Sequence, residues 1–264
     1  MKRFLVPWIA AACIGLSSGS VALAAQSVVD IPTRPGVTQR FLYITPEQPK
    51  AVVILLAGGH GGLQIDSAGN FGWGAGNFLV RTRNQFAEQG LAVAVVDAPS
   101  DRQKNPFLNA FRQTPEHLAD IKAAIAWLRQ QTSLPVWLVG TSRGTQSAGY
   151  IATQGGPADG GPDGLVLTAT ILSDPRGRPV PAMPLQKITV PVLVVHHERD
   201  GCKHCAYSDI PGVMDKLGAA SRKELISFKG GNNVGDPCEA MSYHGFNGLE
   251  SQVVTRIAQW VLAK

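Results

Sequence analysis

Short apolar runs punctuate this chain and are separated by longer stretches of mixed polarity. They read QRFLYIT (39–45), AVVILLA (51–57), LAVAVVD (91–97), PVWLVG (135–140), GLVLTATILS (164–173), PVLVVHH (191–197) and KELISFK (223–229). Most are continuously hydrophobic rather than alternating. A strand of that kind is covered on both faces, as parallel strands between helices are. The first run reads as an edge strand. Helical patterns fill the intervals. Thr114-Pro115 supplies an N-cap and a first-turn proline, after which Leu118, Ile121, Ile125 and Leu128 form one apolar stripe. A last helix is predicted from Asn247, with Glu250 as capping-box partner and Leu249, Val253, Ile257 and Trp260 on its buried face. Alternating strands and helices imply an α/β domain with a doubly wound sheet. No repeat or linker divides it.

The first residues break this pattern. Lys2 and Arg3 precede an apolar run, then small residues, and Ala22-Leu23-Ala24 fits the small-x-small cleavage rule. Residues 1–24 therefore read as a signal peptide and 25–264 as a single domain, periplasmic or secreted. The apolar run is shorter than the roughly 20 residues a membrane span needs, so no membrane insertion is expected after removal of the signal. Loss of Lys2 and Arg3 takes the formal charge from +5 to +3. With no basic run or aromatic-interleaved patch, nothing points to nucleic acid. Hydrophobic residues make up 44% and charged ones 16% of the chain, a globular balance.

Chemistry enters between PVWLVG and the next helix, at Gly140-Thr141-Ser142-Arg143-Gly144. G-x-S-x-G at a strand-to-helix junction makes a sharp turn that lifts the serine hydroxyl clear of the sheet. Here the chain resembles the α/β-hydrolase family, over nearly all of its length after the signal. The resemblance implies a mostly parallel sheet of about seven or eight strands with helices on both faces. It also implies the order nucleophile, acid, histidine. His60 and His117 precede Ser142, whereas His244, in SYHGFNG, lies after the last strand where the family keeps its base. VLVVHHERD resembles the family's acid-bearing strand end and places the acid at Asp200, with Asp174 in ILSDP as the alternative and Glu198 behind it.

In that scheme Ser142 attacks a carbonyl carbon, His244 takes its proton, and Asp200 holds the imidazole. The oxyanion would be met by the backbone N–H of Arg143 and that of Gly59 in GGHGG, with His60 as the alternative donor. The Arg143 guanidinium either binds an anionic substrate group or pairs with a structural acid. The resemblance implies carboxylic ester hydrolysis of a small-molecule substrate, without a cofactor. The alternatives are amide or peptide cleavage by the same residues, or a hydrolase fold that only binds.

The stretch HHERDGCKHC (196–205) packs potential metal ligands around Asp200. Zinc would draw on Cys202, Cys205, Cys238 and His204 or His196. If Asp200 meets His244, however, the same contact brings Cys202 and Cys238 together. The chain is similar to small exported hydrolases that combine GTSRGT with paired cysteines near the acid and the histidine. A Cys202–Cys238 disulfide is therefore expected, with no metal and with Cys205 left over. Between Ser173 and Val190 the chain is short and proline-rich, which implies a minimal lid or none. Phe71, Trp73, Arg102 and Phe107, on the loops after the oxyanion turn and after LAVAVVD, either line the pocket or pack beneath the loops.

Overall fold

A computed structural model of the chain describes residues 24–175 and 177–263. The signal-peptide expectation falls almost wholly outside them. The strands are β1 (Ala25–Arg34), β2 (Val37–Thr45), β3 (Ala51–Leu56), β4 (Leu91–Val96), β5 (Val136–Thr141), β6 (Gly164–Thr168), β7 (Val192–His197) and β8 (Lys223–Phe228). They form one eight-stranded sheet in the order β1-β2-β4-β3-β5-β6-β7-β8. β1 and β2 are antiparallel, β2 runs antiparallel to β4, and every later pairing is parallel.

The helices are α1 (Phe78–Arg81), α2 (Arg83–Glu88), α3 (Pro115–Thr132), α4 (Gly144–Ala152), α5 (Ile210–Lys216) and α6 (Glu250–Leu262). Those of one face, α1, α2 and α6, share a core with Val53 and Leu55 of β3. On the other face α3, α4 and α5 meet Val52, Ile54 and Leu56. Successive side chains of one strand thus feed two cores, which is why the central strands are apolar throughout. Each such side chain contributes about 1.5–3 kcal/mol on burial.

Three expectations are corrected. QRFLYIT is not the edge strand: β1 pairs with it from Ala25↔Thr45 to Arg34↔Val37 and takes the edge itself. The run 164–173 is a strand only to Thr168. At Ala169 φ turns to 44°, and Ile171 leaves the sheet to pack beside Cys202 and Cys205. The last helix begins at Glu250, not at Asn247, because Phe246 (φ 54°) and Gly248 (φ 80°) turn the chain first. The Asn247 amide donates to the Met241 carbonyl, and Glu250 accepts from Arg81 at 2.8 Å instead of closing a capping box. The start of α3 is as the sequence predicts, with Pro115 in its first turn and the Thr114 hydroxyl accepting from the His117 N–H.

His117 is buried under this helix with Nε2 2.9 Å from the Ser147 hydroxyl. Burial, with Arg112 and Arg34 nearby, pulls its pKa from 6.5 down to about 3. The folded state therefore holds His117 neutral where the unfolded chain protonates it. Stability from this group is complete above pH 6.5 and is lost as pH falls from there towards 3. The slope approaches about 1.4 kcal/mol per pH unit. His117→Gln is expected to flatten the acid limb of a urea-midpoint-against-pH curve. An unchanged limb would show that other groups set it.

Candidate active site

β5 ends in the serine elbow. Ser142 has φ 51°, and its N–H donates to the Thr168 carbonyl of the neighbouring strand. The turn is tight enough that a Cβ on Gly144 would lie 1.9 Å from the Leu56 carbonyl oxygen. That is the physical reason for the second glycine of the motif. α4 starts directly after Arg143, so its N-terminal N–H groups face the serine. Among the described residues, no carbonyl or side chain takes up the N–H of Arg143 or that of Gly59. Both residues line the same cavity of about 580 Å³ as Ser142 and His244. His60 does not line it. Its ring stacks on Phe107 (4.2 Å) and meets Trp73 at a tilt (3.7 Å).

His244 sits in a single helical turn, Tyr243–Gly245, before α6. Its Nδ1–H donates to Asp200 Oδ2 at 2.9 Å, and the other Asp200 oxygen accepts the Cys202 N–H at 2.9 Å. That fixes the tautomer and leaves Nε2 free to accept; Nε2 is buried and, among the described residues, has no hydrogen-bond partner, Ser142 Oγ included. Asp174 lies elsewhere. It accepts from the Arg143 guanidinium at 2.7 Å and from Gln146 at 3.0 Å. The Arg143 side chain is therefore tied to a structural acid. Glu198 pairs with Lys229 at 3.2 Å.

The two histidines that end β7 support this arrangement from below, a part the sequence did not disclose. His196 Nε2–H donates to the Cys205 carbonyl at 2.8 Å and stands 3.5 Å from Asp200 Oδ2. Burial lowers its pKa, so it is neutral. His197 donates from Nε2 to the Gly230 carbonyl at 3.0 Å and accepts the Arg199 N–H, which locks its ring. That ring lies flat on Tyr243, 4.3 Å away, next to the candidate base.

Cys202 and Cys238 are joined, across 36 positions of sequence, and both line the cavity. The four-ligand zinc set is thereby taken apart, since two of its thiolates are consumed. Cys205, the leftover thiol, is buried, and burial pushes its pKa up. Cys202, Cys205 and His244 do bring ligand-type atoms within 4.8 Å of one another. The Cys202 sulfur belongs to the disulfide, which leaves that group two ligand atoms rather than three. In the loop-entropy model the bridge stabilises the fold by about 4 kcal/mol. Cys202→Ala/Cys238→Ala is expected to lower the thermal midpoint by several degrees and to cut turnover more than the midpoint alone explains. Turnover equal to wild type well below the melting range would show that the bridge does not hold the acid and base loops in place.

Trp73 stands in the cavity wall, while Phe107 backs His60 and Phe71 packs under Arg83. Arg102 lies over the Phe111 ring, 4.5 Å away. Among the described residues of the 174–190 strap, the only helical turns are two short 3-10 turns, Val180–Ala182 and Leu185–Lys187. Among the described residues, no helix is long and apolar enough to cross a membrane.

No family model matches this chain, and no curated protein matches it in sequence. Solved structures do match in shape. Dienelactone hydrolase from Anabaena variabilis is 15% identical with a TM-score of 0.62, over 91% of this chain and 98% of that one. An esterase of Pyrococcus furiosus is 12% identical with a TM-score of 0.66, over 90% of each chain. An acylaminoacyl peptidase in complex with a chloromethyl ketone is 13% identical with a TM-score of 0.62, over 92% of this chain but 42% of its own. The sheet order, the elbow after β5 and these likenesses together establish that the chain has the α/β-hydrolase fold.

Proposed function

We propose that this chain is an exported serine hydrolase that cleaves carboxylic esters of small molecules through an acyl-enzyme. The observation that carries the reading is the Asp200–His244 hydrogen bond, which leaves a buried, unpartnered Nε2 in the cavity that Ser142 lines. Ser142 Oγ attacks the ester carbonyl as His244 Nε2 takes its proton. Asp200 stabilises the imidazolium that forms. The N–H groups of Gly59 and Arg143 receive the developing oxyanion, each worth about 3–4 kcal/mol in the transition state. His244 returns the proton to the leaving alcohol, and water then enters by the same route to release the acid.

The ester class is supported by the dienelactone hydrolase and esterase likenesses, and the short strap favours small or extended esters. Export is supported by the leader-like first 24 residues and by the disulfide, which needs an oxidising compartment. The acylaminoacyl peptidase likeness keeps amide cleavage as the second reading. A fluorophosphonate probe followed by peptide mass mapping tests the mechanism: an adduct on Ser142 is expected. Folded protein left unmodified would favour a binding module. Matched p-nitrophenyl esters and p-nitroanilides then separate the two hydrolytic readings, with turnover of the esters alone expected.

A further inference from the structure

Arg112 is the one buried guanidinium close to the site with no carboxylate paired to it among the described residues. It lies just before α3, behind the loop that follows β3. Its Nη2 faces three successive backbone carbonyls, those of Ala57 at 3.1 Å, Gly58 at 3.4 Å and Gly59 at 3.2 Å. Nη1 donates to the Ser147 hydroxyl of α4 at 3.1 Å, so the same side chain ties the loop to the helix behind the elbow. Burial and the nearby Arg143 lower its pKa to about 9.

The carbonyls matter because a trans peptide is rigid and its C=O and N–H point opposite ways. A group that draws the Gly58 carbonyl backwards turns the Gly59 N–H forwards. Gly59 lines the cavity with Ser142, and among the described residues nothing takes up that N–H. A cation on the carbonyl oxygen also polarises the amide and makes its N–H a stronger donor. The loop sequence is shaped around the guanidinium as well. Gly61 has φ 77°, and a Cβ there would lie 2.5 Å from Arg112 Nη2.

We infer that Arg112 is a positioning residue for the oxyanion hole: it pins the 57–59 peptide planes from behind so that the Gly59 N–H is aimed at the substrate oxyanion. The inference rests on the serine hydrolase reading. A donor of this kind acts in the transition state and not on the bound ester, so its loss lowers kcat and leaves KM nearly unchanged.

The test is steady-state hydrolysis of p-nitrophenyl butyrate by the full chain carrying Arg112→Lys, Arg112→Gln or Arg112→Met, beside wild type and Ser142→Ala. Lysine keeps a cation that reaches fewer carbonyls, glutamine keeps an uncharged donor, and methionine keeps neither. The expected order of kcat is wild type, Lys, Gln, Met, ending about a hundred-fold down at Met, with KM within about threefold throughout. A packing role would lower all three variants alike, since their volumes are similar. An equal loss, a loss carried by KM, or Arg112→Met at wild-type kcat would overturn the inference. If Arg112→Met does not fold, the Lys and Gln pair decides: equal kcat overturns it and Lys above Gln supports it. Wild type without Ser142-dependent turnover would overturn the hydrolase reading and this inference together. Ser142-dependent turnover with a flat Arg112 series would overturn this inference alone.

Discussion

Ser142→Ala is expected to lower kcat for ester hydrolysis by about a million-fold, with the fold intact. The loss is that large because His244 and Asp200 have nothing to act on without Oγ. What survives is the modest rate supplied by binding and the oxyanion donors. Stability should respond differently at the same position. Ser142 sits at φ 51°, which costs a residue bearing a Cβ about 1–2 kcal/mol. Alanine inherits that strain and should melt where wild type melts. Ser142→Gly should be equally inactive but more stable, by about 1 kcal/mol. Thermal midpoints and turnover measured on the three proteins check both statements. An alanine variant with wild-type turnover would end the serine mechanism.

The second large effect separates the two candidate acids. Asp200→Asn preserves shape but offers an amide where His244 Nδ1–H needs a carboxylate, so kcat is expected to fall about ten-thousand-fold. Asp174→Asn touches no part of that relay. It removes the buried carboxylate from Arg143 and should cost about 3 kcal/mol of stability while leaving kcat within about tenfold. The two variants thus exchange their signatures, one inactive and stable, the other active and fragile. Urea unfolding beside steady-state kinetics reads both. A larger kcat loss at Asp174 than at Asp200 would reverse the assignment of the acid.

The sheet was legible where strands are buried on both faces, because such runs have no polar positions to confuse them. β1 escaped for the opposite reason. AQSVVDIPTR is an edge strand with its solvent side polar and a proline inside, and only Ile31 is buried. Overextension of the run ending at Ser173 has a similar cause: Ile171 is apolar because it packs beside Cys202 and Cys205, and Leu172 because it joins the core that α3, α4 and α5 share, neither of them within a strand. At the site, Ser142, Asp200 and His244 were legible as candidates because the elbow and the strand ends carry local patterns. The partners of the paired cysteines followed from the same placement. The backbone contacts of His196, His197 and Arg112 left no such trace. Each depends on backbone carbonyls of a remote loop, and a carbonyl looks the same whichever residue carries it.

The half-exposed indole of Trp73 gives the molecule a built-in optical reporter. Of the five tryptophans, Trp8 lies outside the described residues, Trp137 and Trp260 are buried, and Trp127 packs against Phe41 and Tyr43 away from the cavity. Among the described tryptophans only Trp73 stands in the cavity wall, 36% exposed and in tilted contact with His60. A ligand that fills the cavity must strip water from that ring, so its emission shifts to shorter wavelength while the others stay dark to the event. Occupancy of the pocket can therefore be watched in real time, without a label and without waiting for a bond to break.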